Sequence, residues 1–313
     1  MTSVKKQNKF FFYIKGYSQR LWPHAPLEKE IGQLMKQLSR EEKDRVEYRL
    51  NYYNKLSSAK FKPQNGTVVK DLLHPKTPKA YYFDTYEYAR YFDKNLPIDY
   101  AFGDVNTILP HPMVCKSRPI HGGNENNVLL NLDKARHFVS VDDKKEFGVK
   151  KDILLGRGAL YQGHRIDFYK KYFDHPLCDL GQVNKVGGDA RWIKKPMSIP
   201  EHLDYKFILS LEGNDVATNL KWIMSSKSIA VCPPLKMETW YMEGELLPDV
   251  HFIGIKSDYS NLEEKLEYYI NHQKEAQDII KNANLHRNLF CNPIIEDLVS
   301  LLVLKKYFEL ISK

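Results

Sequence analysis

The sequence of 313 residues lacks the hydrophobic length that a transmembrane helix needs. Its longest apolar runs are Phe10–Ile14 and Leu298–Leu304, and Ser300 interrupts the second. A spanning helix takes about 20 consecutive apolar residues. The apolar run behind Lys5 and Lys6 is also shorter than the core of a secretory signal, which is about 7–15 residues. We therefore expect a cytoplasmic protein.

Cysteine and metal-binding motifs are also scarce. The four cysteines, Cys115, Cys178, Cys232 and Cys291, lie far apart and form no CxxC pair. This spacing excludes a zinc knuckle and a small disulfide scaffold, and it favours reduced thiols. HExxH, a Walker loop and an Asp-x-Asp motif that would chelate a metal diphosphate are missing as well. We expect no metal and no resident cofactor, so cationic side chains and helix dipoles would have to balance any diphosphate charge.

The composition is that of a folded basic protein. Lys and Arg number 47 against 39 Asp and Glu, a net charge of +8, which predicts anionic partners. Nucleic acid, acidic lipid and sugar nucleotide all fit that charge. The cations are scattered and no nucleic-acid reader motif occurs, so we expect no nucleic-acid partner. The length fits two domains, with a single large α/β unit as the alternative.

Strands and helices alternate along the second half of the chain. We predict strands at Ile153–Leu155, Phe207–Leu211, Ile229–Cys232 and Phe252–Ile255, and helices at Arg165–Tyr172, Asn214–Ser225 and Asn261–Asn284. Alternation of this kind predicts a parallel sheet covered on both faces, which binds ligands at the carboxyl ends of its strands.

The first half of the chain is richer in helices and aromatic residues. We predict a helix that starts with a capping box at Ser39 and Glu42, strands at Tyr81–Phe83 and Tyr100–Phe102, and a helix at Thr85–Phe92 between them. A final helix, Ile294–Leu310, is apolar enough to pack back on the protein. The predicted fold class is α/β, with two lobes and a cleft between them.

The turn after the first strand of the second half has the character of a phosphate site. Arg157 lies between Gly156 and Gly158, where the backbone is free and the guanidinium is available for bidentate phosphate binding. Arg165 opens the next helix, and Lys150 precedes the strand. Ordinary solvated surface is the alternative for each cation taken singly.

A second strand–turn–helix follows at Gly213, Asn214 and Asp215. Gly213 permits a tight turn, Asn214 or Asp215 can cap the helix, and the helix N-terminus offers N–H groups to an anion. The alternative is a plain connection between a strand and a helix.

Asp104 follows an apolar strand and Gly103 directly. A carboxylate in this position can accept a proton from a hydroxyl group in a cleft, although an Asx turn or a helix cap is the commoner role. Lys116 and Arg118 follow closely and could meet acceptor phosphates, with a solvated loop as the alternative.

Several separated motifs resemble one family of enzymes. They are Tyr205–Phe207, Glu212–Asn214, Ser225–Ser228, Glu238–Trp240, Leu247–Phe252 and Lys256–Leu262. Four more are Lys116–Ile120, Asn127–Leu130, Lys134–Phe138 and His175–Asp179. In this order they resemble the CAP10-like glycosyltransferases of family 90. The likeness is greatest to the bacterial members that build the lipopolysaccharide core.

The resemblance implies a GT-B fold of two Rossmann-like lobes, a UDP-sugar donor, inversion at the anomeric carbon and no metal. It places the general base on Asp104 and the donor diphosphate on Arg157 and Arg165. Eukaryotic relatives carry a donor-binding arginine where this chain has Asn219, and Lys221 is the candidate replacement. Glu238 aligns with a glutamate that would hold the ribose, with helix capping as its alternative role.

From these expectations we predict an acceptor-side lobe at 1–145, a donor lobe at 146–290 and a C-terminal helix at 291–313. The predicted function is transfer of a hexose, glucose or galactose, from a UDP-hexose to a lipid-linked core oligosaccharide. Peripheral contact with the inner face of the inner membrane would use five cations beside the aromatic N-terminus, namely Lys5, Lys6, Lys9, Lys15 and Arg20. An ordinary disordered or strand-forming N-terminus is the alternative to this membrane contact. The alternative is a non-catalytic carbohydrate- or polyanion-binding protein.

Overall fold

The computed structural model describes residues 3–57 and 60–311. Its strands are β1 Ser3–Lys5, β2 Tyr100–Ala101, β3 Met113–Cys115, β4 Ser117–Pro119, β5 Asn127–Leu129, β6 Ser140–Asp142, β7 Lys151–Gly158, β8 Cys178–Gln182, β9 Tyr205–Leu209, β10 Ile229–Cys232, β11 Met237–Thr239 and β12 Ile253–Gly254. Its α-helices are α1 Lys9–Ser18, α2 Leu27–Met35, α3 Arg40–Tyr53, α4 Lys79–Ala89, α5 Lys134–His137, α6 Gly163–Tyr172, α7 Ile199–His202, α8 Leu220–Ile223, α9 Leu262–Asn271, α10 Gln273–Asn288 and α11 Pro293–Glu309. Residue 1 of the lobe predicted at 1–145 and residue 313 of the helix predicted at 291–313 lie outside the described residues.

The chain forms two compact units. The first unit holds the residues up to Lys6, His137–Leu235 and Glu245–Asn288. The second unit holds Gln7–Arg136, Lys236–Gly244 and the residues from Leu289 onward. Both units therefore contain segments from distant parts of the sequence.

A five-stranded parallel sheet in the order β12-β10-β9-β7-β8 forms the centre of the first unit. Its core joins apolar residues of β7 and β9 to the inner faces of α6, α9 and α10. Leu154 and Phe207 come from the strands, and Phe168, Leu262 and Ile279 come from the helices. The predicted α/β fold class with parallel strands is confirmed.

The second unit combines a small parallel sheet with long helices. Strands β2, β3 and β5 pair in parallel, and β4 pairs antiparallel with β11. Helix α3 begins with the predicted capping box, in which the Ser39 hydroxyl accepts from the Glu42 N–H and the Glu42 carboxylate accepts from the Ser39 N–H. Helix α11 packs against α2, α3 and α4, as predicted for the final helix.

The strand predicted at Tyr81–Phe83 is wrong, because these residues belong to helix α4. Aromatic residues favour strands by propensity, but here they are buried on a helix that begins after Pro78. Burial of Tyr81, Thr85 and Tyr88 at helical spacing decides the local structure.

Two predicted helices also differ from the structure. Of the segment Asn214–Ser225 only α8 is an α-helix, because the Asn219 side chain bonds to the Leu209 carbonyl and to Ser210 at the end of β9. The long helix predicted at Asn261–Asn284 is divided into α9 and α10 at His272, whose backbone leaves the helical region at φ −109° and ψ 63°.

Candidate active site

Asp104 lies beyond the end of β2 in the second unit, after Gly103 at a positive φ of 122°. Its carboxylate accepts a hydrogen bond of 2.6 Å from the Lys116 ammonium. The Lys116 side chain is 2% exposed, whereas that of Asp104 is 30% exposed. The Ser117 hydroxyl bonds to the N–H and the carbonyl of Val105 and thereby holds the adjoining backbone. The carboxylate is therefore held by a buried cation while one side of it meets solvent.

Aromatic rings line the strand that leads to Asp104. Phe102 stacks on Tyr100 with ring centroids 4.1 Å apart, and it contacts the edges of Tyr82 at 5.0 Å. Phe102 and Tyr100 are both partly exposed. A partly exposed aromatic face two residues from a carboxylate is a surface on which an apolar sugar face can stack.

Arg118 and Glu238 form a buried ion pair in the second unit. The Arg118 Nε donates to Glu238 over 2.7 Å, and its other nitrogens donate to the carbonyls of Tyr52, Tyr53 and Asn127. The Tyr52 hydroxyl also donates to Glu238. The predicted acceptor role of Arg118 and donor role of Glu238 stay predictions, and either role would require this pair to open.

At the carboxyl edge of the first unit's sheet, Arg165 joins two loops. Its guanidinium donates to the carbonyls of Ala159, Leu211 and Glu212 at 3.0, 2.7 and 2.8 Å. Ala159 follows β7, and the other two follow β9, so Arg165 ties together the loops at the ends of two adjacent strands. A Cβ added to Gly213 would lie 3.3 Å from this guanidinium.

The N-terminus of α6 lies at the same edge and adds two residues that sequence reasoning missed. The His164 ring nitrogen lies 2.9 Å from the Glu212 carbonyl oxygen, and the Gln162 amide donates to the Asn214 side chain. The Gln162 side chain makes no capping bond to the helix N–H groups. The only sequence signal for either residue is its place at the helix start after the Gly158 turn.

The predicted donor residues Gly158, Gly213, Asn214 and Arg165 thus belong to one edge of the sheet. The Gly213 N–H donates to the Asp215 carbonyl, which closes the turn after β9. Asn214 is exposed, whereas Asp215 is buried. This arrangement can present backbone N–H groups, a helix N-terminus and a cation to an anionic ligand.

Arg157 does not extend beyond the end of β7. Its guanidinium donates to the Asp179 backbone carbonyl at 2.7 Å and to its carboxylate at 2.8 Å. Asp179 pairs with Leu155, two residues before Arg157, so the side chain lies back along the sheet. Partial burial opposes ionisation of Asp179, but hydrogen bonds from Lys194 and Arg157 lower its pKa. A donor contact by Arg157 stays a prediction and would require it to leave Asp179.

Lys150 is buried within the first unit. Its ammonium donates to Asp143, to the Leu203 carbonyl and to Ser228 at 2.7, 2.7 and 2.8 Å. Burial lowers the pKa of Lys150. An ammonium has three donors, and these three bonds use them. The predicted donor contact of Lys150 therefore stays a prediction that requires an exchange of partners.

Lys221 is also buried, on the short helix α8. Its ammonium nitrogen lies 3.5 Å from the His137 ring, which belongs to the same unit. Asn219, two residues earlier, is held at the end of β9 by its own side-chain bonds. That Lys221 binds the donor in place of the arginine absent at position 219 stays a prediction.

Comparison with known proteins decides the family. Residues 177–312 match the profile of Glycosyl transferase family 90. The chain is 40% identical over 311 residues to the O-glucosyltransferase LpsA of Dichelobacter nodosus, and the match covers 98% of each chain. The chain belongs to glycosyl transferase family 90.

Family 90 membership confirms the resemblance stated from the motifs, including its bacterial branch, and it makes the chain a glycosyltransferase. A more distant relative, Protein O-glucosyltransferase 2 of Danio rerio, is 31% identical over 88 residues. That match covers 27% of this chain and 17% of the relative.

Residues 3–57 and 60–311 contain neither a metal-binding cluster nor a helix that could span a membrane. No group of three or more His, Cys, Asp or Glu side chains that could hold a metal ion occurs there. Within the same residues, no helix has both the length and the apolar character to cross a membrane.

Proposed function

We propose that this family 90 enzyme transfers a hexose from a UDP-sugar to a hydroxyl group of a lipid-linked lipopolysaccharide core oligosaccharide. Near full-length identity of 40% to O-glucosyltransferase LpsA is the observation that carries the proposal, and it favours glucose over galactose. Cytoplasmic location with peripheral contact at the inner membrane is part of the same proposal.

In the proposed mechanism Asp104 is the general base of a single inverting displacement. It removes the proton from the acceptor hydroxyl while the UDP leaves. Because this is a single displacement, it inverts the configuration at the anomeric carbon. A positioned base contributes about 10²–10⁴ in rate. The ion pair with Lys116 fixes the direction of the carboxylate, and the partly exposed Phe102 offers a stacking face for the acceptor sugar.

The donor diphosphate is proposed to bind at the carboxyl edge of the first unit's sheet. The N-terminus of α6 supplies N–H groups there, the Gly213 loop and the turn after Gly158 flank it, and Arg165 holds the two loops together. Preorganised donors of this kind can stabilise a departing anion by roughly 3–4 kcal/mol. Because these donor groups would stabilise the departing diphosphate without a metal ion, they support the proposed independence from metal.

The proposed fold is GT-B, in which separate lobes hold the acceptor and the donor. The acceptor lobe is proposed at 1–145, the donor lobe at 146–290 and the C-terminal helix at 291–313. The parallel sheets of the two units are compatible with Rossmann-like lobes.

The test is UDP release from a panel of UDP-sugars, with and without core oligosaccharide, in the presence and absence of a chelator. We expect acceptor-dependent release that is greatest with UDP-glucose and unchanged by the chelator. A non-catalytic sugar-binding protein would release no UDP from any donor. Loss of release on chelation, restored by added metal, would remove metal independence from the proposal.

A further inference from the structure

The helix α1 and the turn behind it expose an unusual amount of apolar surface. Of the eighteen large apolar side chains that are exposed among the described residues, seven belong to this segment: Phe10, Phe11, Tyr13, Ile14, Tyr17, Leu21 and Trp22. Phe10 and Phe11 are 68% and 66% exposed. Single exposed apolar residues are ordinary, but a contiguous patch indicates a partner.

The opposite face of α1 is packed firmly within the second unit. Phe12 is buried against Phe83, with ring centroids 6.2 Å apart. A Cβ on Gly16 would lie only 2.4 Å from the Phe83 ring, so the helix backbone approaches that ring closely. Lys15 forms an ion pair with Glu87 of α4. The exposed face is therefore presented by a docked helix.

The exposed residues form a continuous stripe. Phe10, Ile14, Tyr17 and Leu21 follow one another at intervals of four, three and four residues, the spacing of one helix face. Leu21 ends the 3-10 turn Gln19–Leu21 that continues α1. The stripe thus extends over the helix and its turn.

The charges of the segment decide between partners. Residues 9–22 contain three cations, Lys9, Lys15 and Arg20, and no carboxylate. Lys15 is paired with Glu87, so two copies joined through this face would bring together four cations, Lys9 and Arg20 of each copy, without a compensating anion on the segment. An anionic bilayer surface instead offers negative headgroups to the cations and an acyl boundary to the apolar stripe. Tyr and Trp side chains suit the same boundary.

We propose that α1 and the turn Gln19–Leu21 are an interfacial membrane-binding segment for anionic phospholipid. The helix lies parallel to the bilayer, with Phe10, Phe11, Ile14 and Leu21 in the headgroup boundary. This inference rests on the proposed function in one respect: the segment explains how the enzyme reaches a lipid-linked acceptor. Vesicle binding itself uses no sugar donor, so a failure of the transfer reaction is a separate result.

The experiment is co-sedimentation of the full chain with vesicles of equal parts phosphatidylglycerol and phosphatidylcholine. Replacing Phe10→Ser, Phe11→Ser and Ile14→Ser together should lower vesicle binding at least about tenfold, because the apolar stripe drives insertion. A matched variant, Val149→Ser, Val186→Ser and Leu285→Ser, removes equally exposed apolar side chains from the first unit and should change binding less than about twofold.

A second variant tests the charge. Replacing Lys9→Gln and Arg20→Gln should lower binding about fivefold per cation, and pure phosphatidylcholine vesicles should bind the wild-type chain weakly. This variant also keeps the test valid if the apolar triple variant fails to fold. Absence of wild-type binding to the anionic vesicles, or binding that neither variant reduces, would overturn the proposal. A dimer without vesicles that the triple variant converts to monomer would assign the face to a second copy instead.

Discussion

At the residue scale, the pair of Asp104 and Lys116 is the most informative feature of the site. Sequence reasoning gave the two residues separate roles, the carboxylate as base and the lysine as acceptor contact. The structure joins them over 2.6 Å and buries the lysine, which makes Lys116 the residue that positions the carboxylate. A buried ammonium without its carboxylate would be costly, so the Lys116 side chain depends on Asp104 for its charge partner.

Replacing Lys116→Gln should lower kcat about ten- to a hundredfold, because the carboxylate loses its fixed direction. The KM for the acceptor should change little, since the lysine is buried away from solvent. Steady-state kinetics on the purified variant measure both constants. Lys116→Arg, which keeps the charge, is the control and should recover part of kcat. A large rise in acceptor KM with unchanged kcat would return Lys116 to acceptor binding.

Residue types in the site could be predicted from the sequence, but their partners could not. The sequence assigns Arg118 to the acceptor and Glu238 to the donor, whereas the structure joins them in a buried ion pair. Their contact joins β4 to β11 across a sequence separation of 120 residues, which no local pattern reveals. Arg157 was recognised as unusual beside glycine, but its direction depends on Asp179 of the neighbouring strand.

At the element scale, strand β7 illustrates two different reasons for glycine. A Cβ on Gly156 would lie 2.7 Å from Leu180 and 3.1 Å from Leu209, side chains of the two adjacent strands. A Cβ on Gly158 would meet nothing within 4 Å. Close packing explains the first glycine, whereas the second lies where the ligand is proposed to bind.

Gly156→Ala should therefore lower the free energy of unfolding by about 1–3 kcal/mol, measured by denaturant titration. Gly158→Ala is the matched control: we expect unfolding within about 0.5 kcal/mol of wild type, together with weaker UDP binding in calorimetry. Equal stability losses in both variants would contradict this division.

Helix α1 is tied to α4 by an ion pair that should be sensitive to acid. Burial of Glu87 raises its pKa, but the charges of Lys134 and Lys15 outweigh that effect and bring its pKa down to about 2. Because the pKa is below its unfolded value of 4.5, this stabilisation is present above that pH and is lost as the pH falls toward 2.

Glu87→Gln should lower the free energy of unfolding at neutral pH by up to about 3 kcal/mol and flatten its dependence between pH 4.5 and 2. Unfolding titrations across that range measure both effects. Glu41→Gln on the exposed surface of α3 is the control and should leave the pH dependence intact. A variant as acid-sensitive as wild type would show that this ion pair does not contribute to stability.

The elements themselves were predictable where periodicity was strong. The capping box of α3, the core strands β7 and β10 and the final helix follow from local pattern. The aromatic run in α4 predicts a strand by propensity, but its residues are buried on a helix, and the two signals point in opposite directions. The break at His272 between α9 and α10 carries no glycine or proline signal in the sequence.

At the scale of the whole molecule, the order of elements predicts the parallel α/β class. It does not predict which segments of the chain belong to which unit. Lys236–Gly244 and the residues from Leu289 onward join the second unit after the chain has built most of the first. The stacking of Tyr53 on Trp240 and the ion pair of Arg49 with Glu296 are contacts of this kind. Such long-range contacts depend on the packed tertiary structure, which local composition does not encode.

The central claim is that Asp104 is the base of a glycosyl transfer. Its most direct test compares Asp104→Asn with wild type in acceptor-dependent UDP release and in calorimetric UDP binding. The control Asp44→Asn alters an exposed carboxylate on α3 and should change neither quantity. We predict that Asp104→Asn lowers turnover about 10²–10⁴-fold while UDP binding stays within about twofold of wild type. Unchanged turnover in Asp104→Asn would contradict the account.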